Sequence, residues 1–365
     1  MAGLIDGAFV FPYWILFTAF AAGSVQYRRQ RAGAAGAAAF LSLGGILIAL
    51  MVGLRYKVGG DWINYVDIYE RLAQLRLSDT LAVSDPGYAF LNKLSFLLGF
   101  DVWFVNLVCA IIFAWGLVGF ARQQANPWLA ITVAVPYLII VVAMGYTRQG
   151  VAIGFILAGL ASLERASILR FIFYIACAAA FHKSAVVVLP LVALAASKNR
   201  IVTTVILFAA AWLLYYLFVE SSIDRLMTNY VEAEYQSEGA AIRIAMNVPP
   251  AILFLMLGRR FELSEQQAKL WRNFSVAALL SVAALLTTAS STAVDRIALY
   301  LIPLQMFVFS RLPSAMSERG GGAGQLVLAV IAYSAVIQFV WLNYAAHSWA
   351  WLPYRSYLTT TADAV

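Results

Sequence analysis

The sequence predicts an all-α, polytopic integral membrane protein, and three observations predict it. Hydrophobic residues fill 63% of the 365 positions, charged residues only 12%, and mean hydropathy is +0.81; a soluble core of this length could not hide so much apolar surface. The apolar residues gather into about twelve runs on the scale needed to cross a hydrocarbon layer of about 30 Å. The charges that do occur sit at the ends of these runs rather than within them.

In chain order the runs are 7–25, 34–54, 102–120, 128–145, 149–163, 167–181, 184–197, 201–219, 244–258, 273–291, 295–310 and 325–345. The fifth to seventh are short and Ala-rich, so their ends are weakly defined and one pair can be re-entrant. No basic stretch precedes the first run and no small-residue cleavage site follows it, so it reads as a retained helix rather than a signal peptide. One transmembrane domain over 1–365 is expected, with longer external connections at 55–101 and 220–243. Cys109 and Cys177 lie inside apolar runs and read as small hydrophobes. Neither a disulfide frame nor a thiolate metal site is expected.

Orientation follows from the basic loops. With twelve helices and an external N-terminus, Gln26–Gly33, Ala121–Pro127, Glu164–Ala166, Lys198–Arg200, Arg259–Arg272 and Arg311–Gln325 face inward, and these segments hold most of the Lys and Arg. The positive-inside rule therefore places both termini outside the cytoplasm. Topology also accounts for the net charge of +7, and nothing resembles a base-stacking basic patch for nucleic acid.

In this frame Arg55, Lys57, Asp61, Arg148, His182, Lys183, Arg243, Asp295 and Arg296 all fall at external helix ends. Several charges at five separate helix ends on one side read as one polar site. In the first external connection Trp62, Tyr65, Val66, Tyr69, Leu72 and Ala73 recur at helical spacing opposite Asn64, Asp67, Arg71 and Gln74. That predicts an amphipathic helix lying on the outer leaflet. The second connection carries Asp224, Glu232, Glu234 and Glu238 with Tyr230 and Tyr235, a composition suited to capping a cleft. Each feature also has a plainer reading. Lys57, Lys93 and Lys183 can snorkel to headgroups, Asp295 and Arg296 can form a local ion pair, His182 can finish a helix, and Asp61 can cap the amphipathic helix. The two His residues, His182 and His347, have no carboxylate at helical spacing, so no metal ligand set and no cofactor motif is read.

Gly53-Leu-Arg-Tyr-Lys-Val-Gly-Gly-Asp-Trp-Ile-Asn-Tyr65 resembles the signature of the EpsG/Wzy-type polysaccharide polymerases. The resemblance continues in order through Asp85-Pro-Gly-Tyr88 and Leu91-Asn92-Lys93, Arg148-Gln149, Phe181-His182-Lys183-Ser184, Asp295-Arg296 with Tyr300, and Pro353-Tyr354. It departs at Gly60, where Thr or Ser is the family's residue before Asp61. The resemblance implies a bacterial inner-membrane glycosyltransferase of GT-C-like architecture with its site toward the periplasm. Its substrates would be undecaprenyl-diphosphate-linked oligosaccharides of O-antigen, capsule or exopolysaccharide assembly, and its partners a flippase and a chain-length regulator.

Chemistry and residues agree with that expectation. Expelling a diphosphate without a metal needs arginine forks, for which Arg148, Arg243 and Arg296 are candidates with Gln149 beside them. The acceptor hydroxyl needs a base, which His182 fits by type, with Asp61 and Asp295 as rivals. Arg55 and Asp61 are alternative positioning groups, Trp62 and Tyr65 a sugar-stacking face, and Tyr300 and Tyr354 further substrate contacts. A lipid-linked oligosaccharide flippase or exporter component would carry charges along a path through the membrane, and these runs are nearly charge-free at mid-depth. An integral-membrane acyltransferase would need a cytoplasmic cluster that the inward loops do not offer. Ligase-like transferases stay as the remaining alternative.

Overall fold

The fold was determined as a computed structural model, which describes residues 10–29, 34–163, 167–195, 200–218, 239–288, 291–317 and 322–359. The acidic connection around 220–238 lies outside the described residues. The described chain is helical throughout, and its nearest approach to sheet is one isolated antiparallel bridge between Arg55 and Ser356.

The helices are α1 Phe11–Arg29, α2 Ala34–Gly53, α3 Trp62–Gln74, α4 Leu77–Val83, α5 Pro86–Leu97, α6 Val102–Ala121, α7 Pro127–Ala134 and α8 Thr147–Leu163. There follow α9 Ile168–Phe181, α10 Val188–Ala193, α11 Arg200–Phe218, α12 Ala240–Ala245, α13 Val248–Leu257, α14 Glu265–Thr287, α15 Ser291–Ala298, α16 Pro303–Ala315 and α17 Ala323–Tyr344. Among the described residues four segments are long and apolar enough to cross a membrane: Val102–Ala121, Ala240–Phe261, Glu265–Thr287 and Ala323–Tyr344. A fifth arises if Ser291–Leu301 and Pro303–Ala315, bent by 42°, count as one.

The structure thus supports an all-α membrane protein but not the expected twelve full spans. Several of the expected runs form shorter apolar helices instead, among them Pro127–Ala143, Thr147–Leu163, Ile168–Phe181 and Lys183–Ala193. The physical reason lies in the breaks. Pro136, which has no N–H to donate, opens a π-helical stretch over Val135–Ala143. His182 leaves α9 in extended conformation, and Pro303 follows the bend after α15. A break leaves backbone that only protein or water can satisfy, and His182 and Tyr300, beside the second and third of these breaks, meet in the polar site.

Helices α6 and α8 form the closest crossing. A Cβ on Gly116 would fall 1.9 Å from the Gly154 carbonyl oxygen, and one on Gly154 would fall 2.7 Å from Phe113 Cα. Small residues let the backbones meet where no water-driven hydrophobic force operates between helices. Outward side chains are correspondingly apolar: Ile201, Trp212 and Leu286 are 80%, 67% and 82% exposed. That belt suits lipid.

Helix α3 departs from expectation in its partner. Its buried face is Trp62, Tyr65, Tyr69 and Leu72, as the spacing predicts, but these residues pack onto the bundle rather than onto a leaflet. Tyr65 meets Tyr88 of α5 at 5.7 Å between centroids, and the Tyr69 hydroxyl donates to the Phe100 carbonyl. Lys93 does not snorkel either. Its ammonium donates to the carbonyls of Ala73 and Leu75 at 2.7 and 2.8 Å and so closes the C-terminal end of α3.

Candidate functional site

Arg55 lies two residues after the end of α2, and its side chain is wholly buried. Nη1 donates to the Val52 carbonyl at 2.6 Å, Nε to the Val58 carbonyl at 3.1 Å, and Nη2 to Thr147 Oγ1 at 2.7 Å and Asn106 Oδ1 at 3.3 Å. Four neutral acceptors hold this charge, so Arg55 ties α2, α6 and α8 together beneath the site instead of facing a diphosphate. Sequence reasoning missed Thr147 and Asn106, because a polar residue within an apolar run gives no periodic signal. Lys57 is exposed, at φ 53°, over the Tyr56 ring at 4.8 Å.

The turn after Arg55 lies on the backbone that precedes α8. Gly59, at φ +109°, has room for no side chain, since a Cβ would sit 2.4 Å from the Met144 carbonyl oxygen. The turn delivers Asp61 to the N-terminal end of α3, yet its carboxylate makes no capping hydrogen bond. Asp61 points instead into the field of Arg296 and Arg148, with a hydrogen bond from Asn64. Burial raises its pKa, and the two guanidinium charges partly offset that rise.

Arg148 and Gln149 open α8. Arg148 Nη1 donates to Asp85 Oδ2 at 3.0 Å, and its guanidinium stands 5.9 Å from the Tyr88 ring. About a third of its side chain remains exposed (33%). Asp85, in the loop before α5, also feels the charge and backbone N–H of Lys183, and burial raises its pKa before these groups lower it. The sequence motif contains Asp85, but only the fold shows that it holds Arg148. Gln149 is fully buried, and its Nε2 donates to the Arg296 carbonyl at 2.6 Å. It therefore fixes the Arg296 backbone.

Arg296 lays its guanidinium 4.7 Å from the centre of the Tyr146 ring. Its neighbour Asp295 does not pair with it. Asp295 accepts a fork from Arg243, Nε to Oδ1 at 2.9 Å and Nη2 to Oδ2 at 2.6 Å. The local pair read from the sequence is thus corrected, because adjacent helical residues diverge in direction. The fork also occupies both oxygens of Asp295 and draws Arg243 away from an anion role.

His182 stands in the break between α9 and the Lys183–Val187 turn. Its Nδ1 lies 2.7 Å from Ser184 Oγ and 2.9 Å from the Tyr300 hydroxyl, which are themselves 3.0 Å apart. Burial, then the charges of Arg148 and Arg296, hold its pKa down at about 3. The ring is neutral at physiological pH. Ser184 was part of the sequence motif, yet its partnership with Tyr300, 116 positions away, is a product of tertiary structure.

Trp62 and Tyr65 are buried, at 9% and 3% exposure. They face the Tyr56, Tyr357 and Tyr88 rings, which corrects the reading of an open sugar-stacking face. Tyr354 donates its hydroxyl to the Met51 carbonyl at 2.9 Å and meets Tyr13 edge-on, so it anchors the C-terminal tail against α1 and α2. The tail also carries Trp351, which the sequence reading did not single out. What the fold brings together at one end of the bundle is Asp61, Arg148, Arg296 and the His182–Ser184–Tyr300 triangle, with Arg243–Asp295 alongside.

Comparison with curated proteins and with solved structures gave no match. A family model described as the EpsG family does match, over residues 39–356, and this interval contains every residue of the site just described. The chain belongs to the EpsG family, the family of Wzy-type polysaccharide polymerases.

Proposed function

We propose that this polymerase moves a growing glycan from its undecaprenyl-diphosphate carrier onto a hydroxyl of a new lipid-linked repeat unit, at the periplasmic face and without a metal ion. The observation that carries this reading is the meeting of two kinds of group at one end of the bundle: guanidinium groups at Arg148 and Arg296, and a neutral imidazole at His182. The charge pattern of the loops supports the periplasmic orientation.

In the reaction the acceptor oxygen attacks the anomeric carbon while His182 takes its proton. The bond from that carbon to the diphosphate oxygen breaks, and its electron pair leaves with the diphosphate, whose growing charge Arg148 and Arg296 receive. For His182 to act through Nε2, Nδ1 must carry the proton and donate it to Ser184 or Tyr300, both within reach. Free of substrate, the imidazole is a weak base because burial, and then the two cations that face it, disfavour its charged form. A bound diphosphate offsets those cations, the smaller part of the shift, and so raises the pKa in the direction a base needs, which couples base strength to donor binding. Asp61, uncapped and shifted upward, is the rival base; Asp295 is committed to Arg243. Arg55, Gln149, Tyr65 and Tyr354 serve as positioning groups. A flippase and a chain-length regulator would supply and limit the substrate.

The test is reconstitution of the purified chain in proteoliposomes with radiolabelled lipid-linked repeat units. Formation of a ladder of longer lipid-linked glycans, with release of undecaprenyl diphosphate, is expected. Transbilayer movement of repeat units without new glycosidic bonds would instead identify a flippase.

A further inference from the structure

The C-terminal tail closes on the site through Trp351, which is 1% exposed. Its indole Nε1 donates to the Ile140 carbonyl in the π-helical stretch at 2.7 Å, and its own carbonyl accepts from the Tyr13 hydroxyl at 2.7 Å. The benzo edge fills the space above two glycines. A Cβ on Gly145 would lie 2.4 Å from Trp351 Cζ2, and one on Gly60 would lie 3.5 Å from Cη2. The preceding residue, Ala350, accepts the Gly59 N–H at 2.8 Å.

These contacts bear on two groups of the site at once. Gly60 directly precedes Asp61, and Gly145 directly precedes Tyr146, whose ring carries Arg296. One rigid indole, tethered at Nε1 and packed on both glycines, therefore braces the contact between the Asp61 turn and the Tyr146–Arg296 side. We propose that Trp351 is a positioning residue for the transfer reaction, holding Asp61 and Arg296 at working distance by packing its benzo edge on both Gly60 and Gly145; this rests on the polymerase reading above. The tail is then a functional part of the site rather than a trailing end. Small displacements of positioned groups are costly, up to roughly hundred-fold for about 1 Å.

Three variants and a control test this in proteoliposomes: Trp351→Phe, Gly145→Ala, the two combined, and Trp341→Phe. Trp341 touches Trp351 edge-on at 5.4 Å between centroids but neither glycine, so its loss reports general packing. Phenylalanine at 351 withdraws the ring atoms nearest Gly145. The expected result is a rate at saturating substrate reduced about ten-fold or more in Trp351→Phe, with KM little changed. Trp341→Phe keeps its turnover per folded molecule. The combined variant recovers activity relative to Gly145→Ala, because the smaller ring admits the methyl group. Hydrogen exchange gives a readout independent of chemistry: amides at Gly59–Asp61 and at Gly145–Tyr146 exchange faster in Trp351→Phe and not in Trp341→Phe. The inference is overturned by a Trp351→Phe protein with wild-type turnover, by equal losses in both Trp variants, or by unchanged exchange at the two turns. An inactive wild-type chain would remove the polymerase reading, while the exchange comparison would still decide whether Trp351 holds the turns. Should Gly145→Ala fail to insert, the two single Trp variants decide.

Discussion

Arg243 forks onto Asp295 across 52 positions of sequence, with three nitrogen–oxygen approaches between 2.6 and 3.2 Å and both side chains nearly buried, at 11% and 9% exposure. The pair joins α12 to α15 and keeps both charges from lipid. Asp295→Ala removes one partner of a nearly buried ion pair and is expected to cost about 3–5 kcal/mol of stability. Removing both partners together costs less than removing either one. Thermal unfolding in detergent of the two single variants and the double measures this, and additive losses would contradict it.

Arg148→Lys and Arg296→Lys are each expected to abolish most polymer formation while expression and insertion stay intact. Lysine keeps the charge but cannot present two donors to a diphosphate in one plane. The measurement is polymer made per unit of inserted protein. Near-normal polymer from both variants would return these residues to membrane anchoring.

His182→Ala is expected to lower turnover about hundred-fold or more, the usual cost of a lost general base. Ser184→Ala and Tyr300→Phe should each cost less, since either hydroxyl can still take the Nδ1 proton when the other is missing. Their combination should exceed the product of the single effects. Turnover at saturating substrate for the three variants and the double checks this, and a fully active His182→Ala enzyme would move the base role to Asp61.

The pH dependence of stability follows from the same residue. The His182 pKa is about 3 in the native chain against 6.5 ordinarily, so between those values the unfolded chain binds a proton that the native chain refuses. The resulting contribution is fully present above about pH 6.5 and is lost as pH falls toward about 3. Unfolding temperature should therefore fall less between pH 7 and pH 5 in His182→Gln than in wild type. Parallel pH profiles would show that the imidazole is not held neutral.

If arginines rather than a metal carry the diphosphate charge, polymerase activity should survive chelator. The assay is polymer formation by purified protein in excess chelator, then with magnesium or manganese restored. Loss of activity that added divalent cation reverses would overturn the arginine mechanism.

The membrane class, the helical character and the placement of charges at helix ends could be read from the sequence by itself, because apolar content and its spacing are local properties that need no knowledge of partners. The buried face of α3 was legible for the same reason, through Trp62, Tyr65, Tyr69 and Leu72. What covers that face was not: a hydrophobic stripe is equally satisfied by lipid or by protein, and only packing placed Tyr65 on Tyr88. Partner choice among charges was likewise a tertiary decision. Asp295 stands beside Arg296 in sequence and binds Arg243, Arg148 takes Asp85, and Arg55 turns inward to neutral oxygens. Coulomb attraction depends on distance in space, which chain separation does not encode. Trp351 shows the limit most clearly, since one tryptophan among ten becomes part of the site only because Gly60 and Gly145, 85 positions apart, meet against the benzo edge of its ring.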